Sequence, residues 1–162
     1  LVGAFGFDRP DAFKMQSAAI VMQMIGCIGA GLLADRFGAG RVILFGSLLV
    51  AAIASLFYNS LGHVEASTIF MLYMLLGLAS GTVGMVSYSM VKMFPAQIRF
   101  SGISFSYNVA YAIAGGITLP LVQWLSLYSN MGALYYIWVV CLVAFITAWF
   151  YQQRFERARS SV

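Results

Sequence analysis

Five long runs of apolar residues, separated by short polar turns, account for most of the chain. We place them at about residues 13–33, 42–60, 67–91, 101–127 and 133–151. A membrane-spanning helix needs about 20 predominantly apolar residues, and each run is near that length. The third run is longer than the minimum, which favours a tilted helix. The pattern therefore predicts a bundle of five transmembrane helices.

The composition supports a membrane protein. Apolar residues make up 62% of the 162 positions and charged residues only 9%. A soluble domain carries about 25% charged residues, so this chain could not cover its own surface in water. Cys27 and Cys141 lie inside apolar runs and form no Cys-x-x-Cys pair, and we interpret both as packing residues. The fold class predicted is an all-α membrane protein.

Two short terminal segments flank the predicted bundle of residues 13–152. Residues 1–12 are expected to hold the end of a preceding helix, at Leu1–Phe7, and an external loop. Residues 153–162 are expected to form a basic cytoplasmic tail. The first ten residues show no signal peptide and the chain does not begin with Met, so we expect it to start partway into a longer protein.

Basic residues are distributed unevenly between the two sides that five crossings define. One side collects Arg36, Arg41, Lys92, Arg99, Arg154, Arg157 and Arg159. The other side has only Arg9 and Lys14. Because an excess of Lys and Arg marks cytoplasmic loops, this bias predicts a cytoplasmic C-terminus and an external N-terminus.

Small residues favour close contacts between two of the predicted helices. Gly26, Gly29 and Gly31 make the second half of the first span thin, and the third span carries Gly77-x-x-x-Gly81. Glycines on one helix face let another backbone approach closely. We therefore interpret these glycines mainly as packing sites.

The loop between the first two runs holds Asp35, Arg36 and Arg41. Asp35 follows the end of one predicted helix and Arg41 opens the next. Each sign opposes the helix dipole, by about 0.3–1 kcal/mol in a lone helix. Two gains would explain these charges: arginines that fix the loop on the cytoplasmic side, or a latch to a neighbouring helix end. A solvated turn that only sets topology remains the simplest alternative.

Two motifs in the expected order resemble a transporter family. Residues 31–38, Gly-Leu-Leu-Ala-Asp-Arg-Phe-Gly, resemble the Gly-x-Leu-x-Asp-Arg-x-Gly signature loop of the major facilitator superfamily. Residues 93–102 and 106–116 resemble the metabolite:proton symporters, a family that includes carriers of osmolytes and organic acids. The five spans are then similar to helices 8 to 12 of a twelve-helix carrier, an incomplete C-terminal half. The loop residues carried over are Gly31, Asp35, Arg36, Gly38, Arg41, Pro95 and Arg99.

The chain departs from the family pattern at two charged positions. The family usually continues the loop as Gly-Arg-Arg, whereas here residues 38–41 read Gly-Ala-Gly-Arg. Lys92 stands where the family usually has Glu, an acid that can pair with the loop arginines. Lys92 would instead repel Arg41 if the two were close.

Neutral polar side chains are the candidate solute-binding groups. They are Gln23 in the first span, Ser87 and Tyr88 in the third, and Tyr107, Asn108 and Tyr111 in the fourth. The resemblance implies that these three spans line a central cavity. The alternatives are that Gln23 and Asn108 bond across helices as packing groups, and that the tyrosines form an interfacial belt.

The resemblance implies part of a secondary transporter that moves a small polar metabolite, an organic acid or osmolyte, by alternating access. No acid or base lies deep in a span, so we expect proton coupling to reside in the missing N-terminal half. The expected partners are membrane lipid, the solute and the proton, in a bacterial inner membrane. The alternative is a truncated, non-transporting remnant or a membrane interaction module.

Other function classes lack their characteristic residues in this sequence. No Ser/His/Asp set, metal cluster or phosphate loop is present, and His63, the one histidine, lies in a loop. We therefore expect no enzyme, no cofactor and no metal. Nucleic-acid binding is not expected either, because no basic patch with interleaved aromatic residues occurs.

Overall fold

The computed structural model describes residues 9–129 and 131–156, except for the side chains of Arg9, Phe155 and Glu156, and it is helical over nearly all of these residues. The helices are α1 (Arg9–Phe37), α2 (Ala39–Ser60), α3 (Ala66–Ser80), α4 (Gly84–Met93), α5 (Arg99–Tyr128) and α6 (Gly132–Tyr151). A 3₁₀ turn at Gly81–Val83 joins α3 to α4, and a π-helical turn at Gln152–Glu156 follows α6. The segment predicted at Leu1–Phe7 and the tail arginines Arg157 and Arg159 lie outside the described residues.

Five helical segments are long and apolar enough to cross a membrane. They are Pro10–Phe37, Ala39–Ser60, Ala66–Met93, Arg99–Tyr128 and Gly132–Arg154. The third comprises α3, the 3₁₀ turn and α4. The predicted all-α membrane bundle of five helices is therefore confirmed.

α1 begins earlier than the apolar pattern indicates, at Arg9 instead of about residue 13. Pro10 is acceptable in the first turn of a helix because the N–H that proline lacks would have no helical partner there. Asp11 also lies in that turn, where a negative charge is favourable, and its Oδ1 is 2.9 Å from Nζ of Lys14. Local charge thus extends the helix beyond the apolar run.

The helices pack unequally. α1 packs mainly against α3, and α2 packs mainly against α6 and α3. One buried cluster consists of Ala30, Ala34, Ala39, Val42, Met85 and Tyr151, and a second consists of Met15, Phe57, Leu61 and Ile69. α5 packs mainly against α6, less against α4, and has no buried residue. One long helix therefore presents most of its surface outward.

Glycines bring α1 and the third segment into backbone contact. A Cβ on Gly81 would lie 2.3 Å from the carbonyl carbon of Gly26, and a Cβ on Gly77 would lie 2.4 Å from the carbonyl oxygen of Ala19. Neither position has room for a side chain. The close approach predicted for Gly26 and the Gly77-x-x-x-Gly81 pair is confirmed, whereas a Cβ on Gly29 or Gly31 would meet no atom within 4 Å.

Candidate functional site

A strip of polar side chains lies near the start of α5. Tyr107 and Tyr111, one turn apart, stack with ring centroids 4.5 Å apart, and Oη of Tyr107 donates to Oη of Tyr111 at 3.0 Å. Nδ2 of Asn108 donates to the backbone oxygen of Ser104 at 2.8 Å. Nδ2 of Asn108 also donates to Oγ of Ser104 at 3.4 Å. These hydrogen bonds stay within α5, so the Oδ1 of Asn108 is available to a solute.

The strip lies between two contacts that hold α5. Thr118 and Tyr136 place their hydroxyl oxygens 2.6 Å apart and join α5 to α6. Near the start of α5, the Phe94 ring packs so closely on Gly102 that a Cβ there would lie 2.6 Å from it. Tyr111, between these contacts, is 56% exposed. The strip therefore forms an open polar surface on an otherwise apolar bundle.

The other predicted solute-binding residues lie apart from this strip. Ser87 is exposed on α4, and half-buried Tyr88 packs against the cluster around Ala30 and accepts a hydrogen bond from Lys92. Gln23 is half-buried in α1 and has no hydrogen-bonding partner in the part of the chain that the structure describes. Over the same part, no hydrogen bond joins Gln23, the α4 pair and the α5 strip.

The packing alternative for Gln23 and Asn108 requires hydrogen bonds between helices. Within residues 9–129 and 131–156, Gln23 makes none and Asn108 bonds only to Ser104 in its own helix. Polar bonds between helices use other residues: Tyr73 Oη donates to Gln16 Oε1 at 2.6 Å, and Trp138 Nε1 donates to Ser55 Oγ at 3.0 Å. The residues in these pairs are far apart along the chain, so no local pattern indicated them.

In the signature loop, Gly38 is the single residue between the end of α1 and the start of α2. Gly38 has φ +91° and ψ 146°, a conformation that L side chains rarely adopt. Its N–H donates to the oxygen of Ala34 at 2.9 Å, and its own oxygen accepts from the N–H of Val42 at 3.3 Å. Ala34 and Ala39 on either side are only 3% and 1% exposed. The motif glycine is therefore explained by the backbone geometry of a tight, buried turn.

The charged side chains of this loop are exposed. Asp35, Arg36 and Arg41 are all exposed, and the Arg36 guanidinium lies 5.4 Å from the centroid of the Phe37 ring. The one ion pair found among the described residues is Lys14–Asp11, so no latch from this loop is formed there.

A hydrogen bond from a side chain to the backbone closes the basic loop between α4 and α5. Nε of Arg99 donates to the oxygen of Phe94 at 3.2 Å, across the turn that contains Pro95. No group of three or more His, Cys, Asp or Glu side chains that could hold a metal ion occurs in the described residues.

Similarity to curated proteins points to membrane transporters. The inner membrane metabolite transport protein YhjE of Escherichia coli (strain K12) is 28% identical over 130 residues, covering 79% of this chain and 30% of that protein. The proline/betaine transporter of the same strain is 35% identical over 124 residues, covering 72% of this chain and 24% of the transporter. The citrate-proton symporter of Klebsiella pneumoniae is 36% identical over 97 residues, covering 57% and 21%. This chain matches part of a major facilitator superfamily transporter.

The resemblance predicted from the two loop motifs is therefore confirmed, and the chain is a multi-pass membrane protein. It spans less than a third of the length of each of these relatives. No family model matches the chain. No solved structure matches it significantly. All three relatives are named as transporters or symporters, which supports the expectation of a non-enzyme indirectly.

Proposed function

We propose that this chain is part of a secondary active transporter that moves a small polar metabolite, an organic acid or an osmolyte, across a bacterial inner membrane. The similarity to the proline/betaine transporter over 72% of the chain carries the proposal. In this account the missing N-terminal helices complete the solute path, and the two halves rock against each other around it. In this proposal the C-terminus faces the cytoplasm. It lies on the same side of the membrane as the arginine-rich loops, and such loops are usually cytoplasmic.

The strip of half-buried Tyr107 and exposed Asn108 and Tyr111 would supply the solute contacts of this half. Phenol and amide groups donate and accept hydrogen bonds without a net charge, which suits a zwitterion or a carboxylate whose charge is balanced elsewhere. The exposed outer surface of α5 supports this role, since a helix with no buried residue has room to face a second half.

We propose proton coupling because one relative is a citrate-proton symporter. The described spans of this chain hold no deep acid or base. An ionisable group within a membrane is costly and usually functional, so we place the coupling acid in the missing N-terminal half.

Uptake by the full-length protein tests this function. Purified protein in sealed vesicles should accumulate radiolabelled proline, glycine betaine, shikimate or citrate when an inward proton gradient is imposed. Collapsing the gradient with a protonophore should abolish accumulation, and protein-free vesicles are the control. Absence of proton-driven uptake for all four solutes would contradict the proposal.

A non-transporting membrane module is the second candidate, and the charge pattern favours it. Lys92 bonds to Tyr88, and among the residues that the structure describes Arg41 has no acidic partner. A loop without an ion pair to a neighbouring helix would suit a protein that does not change conformation to transport a solute. Stable insertion of the full-length protein without uptake of any solute would support this candidate.

A further inference from the structure

An apolar groove of about 740 Å³ runs between α1, α2 and α3. Gly29 leaves open space in its wall, and larger apolar side chains such as Phe45 and Leu78 line much of the rest. Among the described lining residues, only Arg41 and Thr82 are not apolar. The groove therefore suits a long apolar ligand with an anionic group at the end where Arg41 lies.

The length of the groove matches one leaflet of a bilayer. On α1 its lining extends from Ile25 to Phe37, and on α2 from Arg41 to Ile53. At about 1.5 Å per residue each wall is about 18 Å long. Half of the hydrocarbon core of a bilayer is about 15 Å thick. An acyl chain lying in the groove would thus reach from the membrane surface to about the midplane.

Arg41 gives the groove its charge complementarity. It is exposed, it lies in the first turn of α2, where a positive charge is unfavourable, and it forms no ion pair with any described residue. With Asp35 and Arg36 close by in sequence, the loop keeps a net positive charge. A phosphate placed beside Arg41 would turn this unfavourable charge into a favourable one.

We propose that this groove binds an anionic phospholipid, with one acyl chain along the groove and the phosphate on Arg41. Basic pockets between transmembrane helices are known to hold anionic headgroups. Gly29, which opens the groove, and Arg41, which forms no ion pair with the described side chains, then serve one ligand. This site is separate from the α5 strip, so the proposal does not depend on transport.

Lipid retention by the full-length protein tests the proposal. Protein in a neutral detergent is titrated with phosphatidylglycerol or with phosphatidylcholine of the same acyl chains, and bound lipid is counted by native mass spectrometry. We expect phosphatidylglycerol to bind about fivefold more tightly, the effect of one basic residue near an anionic headgroup. Arg41→Gln should remove this preference, and Arg41→Lys should keep it.

Two glycine variants distinguish lipid bound in the groove from lipid bound elsewhere on the protein surface. Gly29→Leu should fill the groove and reduce retention of both lipids, because a side chain there meets nothing within 4 Å at Cβ and extends into the open space. Gly31→Leu is the matched control: it is on the same helix, equally open at Cβ, and not part of the lining. Equal retention of both lipids by the unaltered protein, or equal behaviour of the two glycine variants, would overturn the proposal. A Gly29→Leu variant that loses stability but keeps its lipid would show that protein fills the groove, and would also overturn it.

Discussion

Replacing Gly81 by alanine is expected to destabilise the protein by about 3 kcal/mol, the upper end of the usual range for overpacked cores. The added Cβ would lie 2.3 Å from the carbonyl carbon of Gly26 and 2.5 Å from the backbone nitrogen of Cys27. Both are backbone atoms, so the clash cannot be relieved by a change of rotamer. The two helices must separate, and the contacts between α1 and the third segment are lost along their length. Equilibrium unfolding of the full-length protein in mixed micelles measures the change.

Gly29→Ala is the control for this substitution. Gly29 is also within a transmembrane helix, but a Cβ there meets no atom within 4 Å. We expect this variant to be unchanged or stabilised by up to about 1 kcal/mol, because alanine favours a helix over glycine. Equal stability of the Gly81→Ala and Gly29→Ala variants would show that the close crossing is absent from the native protein.

Replacing Asn108 by leucine is expected to reduce uptake by the full-length protein by about tenfold, which corresponds to about 1.4 kcal/mol and to the net worth of one strong hydrogen bond. The amide is exposed, and its bonds within the described chain go to Ser104 on the same helix. Leucine keeps the approximate size but removes the groups offered to the solute. The initial rate of proton-driven uptake at low solute concentration measures the loss.

Asn59→Leu is the control for Asn108→Leu, because it also removes an amide that bonds to the backbone of its own helix. Nδ2 of Asn59 donates to the backbone oxygen of Ser55 at 2.9 Å, the same four-residue pattern as in Asn108, and the residue is equally exposed. It lies on α2, outside the candidate strip. We expect Asn59→Leu to leave uptake within about twofold of the unaltered protein, since surface changes away from special features have small effects. A similar decrease in both variants would remove Asn108 from the solute path.

The number of membrane-spanning segments could be predicted from the sequence because the thickness of the hydrocarbon core fixes the length of an apolar run. Helix ends could not be predicted as well, since they depend on local charge and turn geometry, as at Pro10 and Asp11 in α1. The break in the third segment was also missed. Gly81–Val83 form a 3₁₀ turn, and the hydroxyls of Thr82 and of the neighbouring Ser80 bond to backbone oxygens of α3. The apolar span Ala66–Met93 continues through this turn, so its length gave no sign of a break.

At the candidate site, contacts within one helix could be predicted from the sequence, but contacts between helices could not. Tyr107 and Tyr111 come together because residues four apart share a helix face, which the sequence alone indicates. Whether Gln23 or Ser87 joins them depends on how separate helices are placed, and among the described residues no hydrogen bond links either of them to the strip. The same holds for the glycines: a Cβ on Gly26 would meet backbone atoms, while a Cβ on Gly29 would meet none.

If the α5 strip faces a water-filled solute path, a thiol placed in the strip reacts with a reagent dissolved in that water. Cys27 and Cys141 are replaced by alanine in the full-length protein, and a single cysteine is introduced by Asn108→Cys or by Leu142→Cys. Leu142 is 60% exposed on α6, so exposure within this chain alone does not distinguish the two positions. We expect a charged, membrane-impermeant thiol reagent to modify position 108, to do so more slowly in the presence of transported solute, and to leave position 142 unmodified in the lipid. Position 108 remaining as unreactive as position 142 would contradict the account.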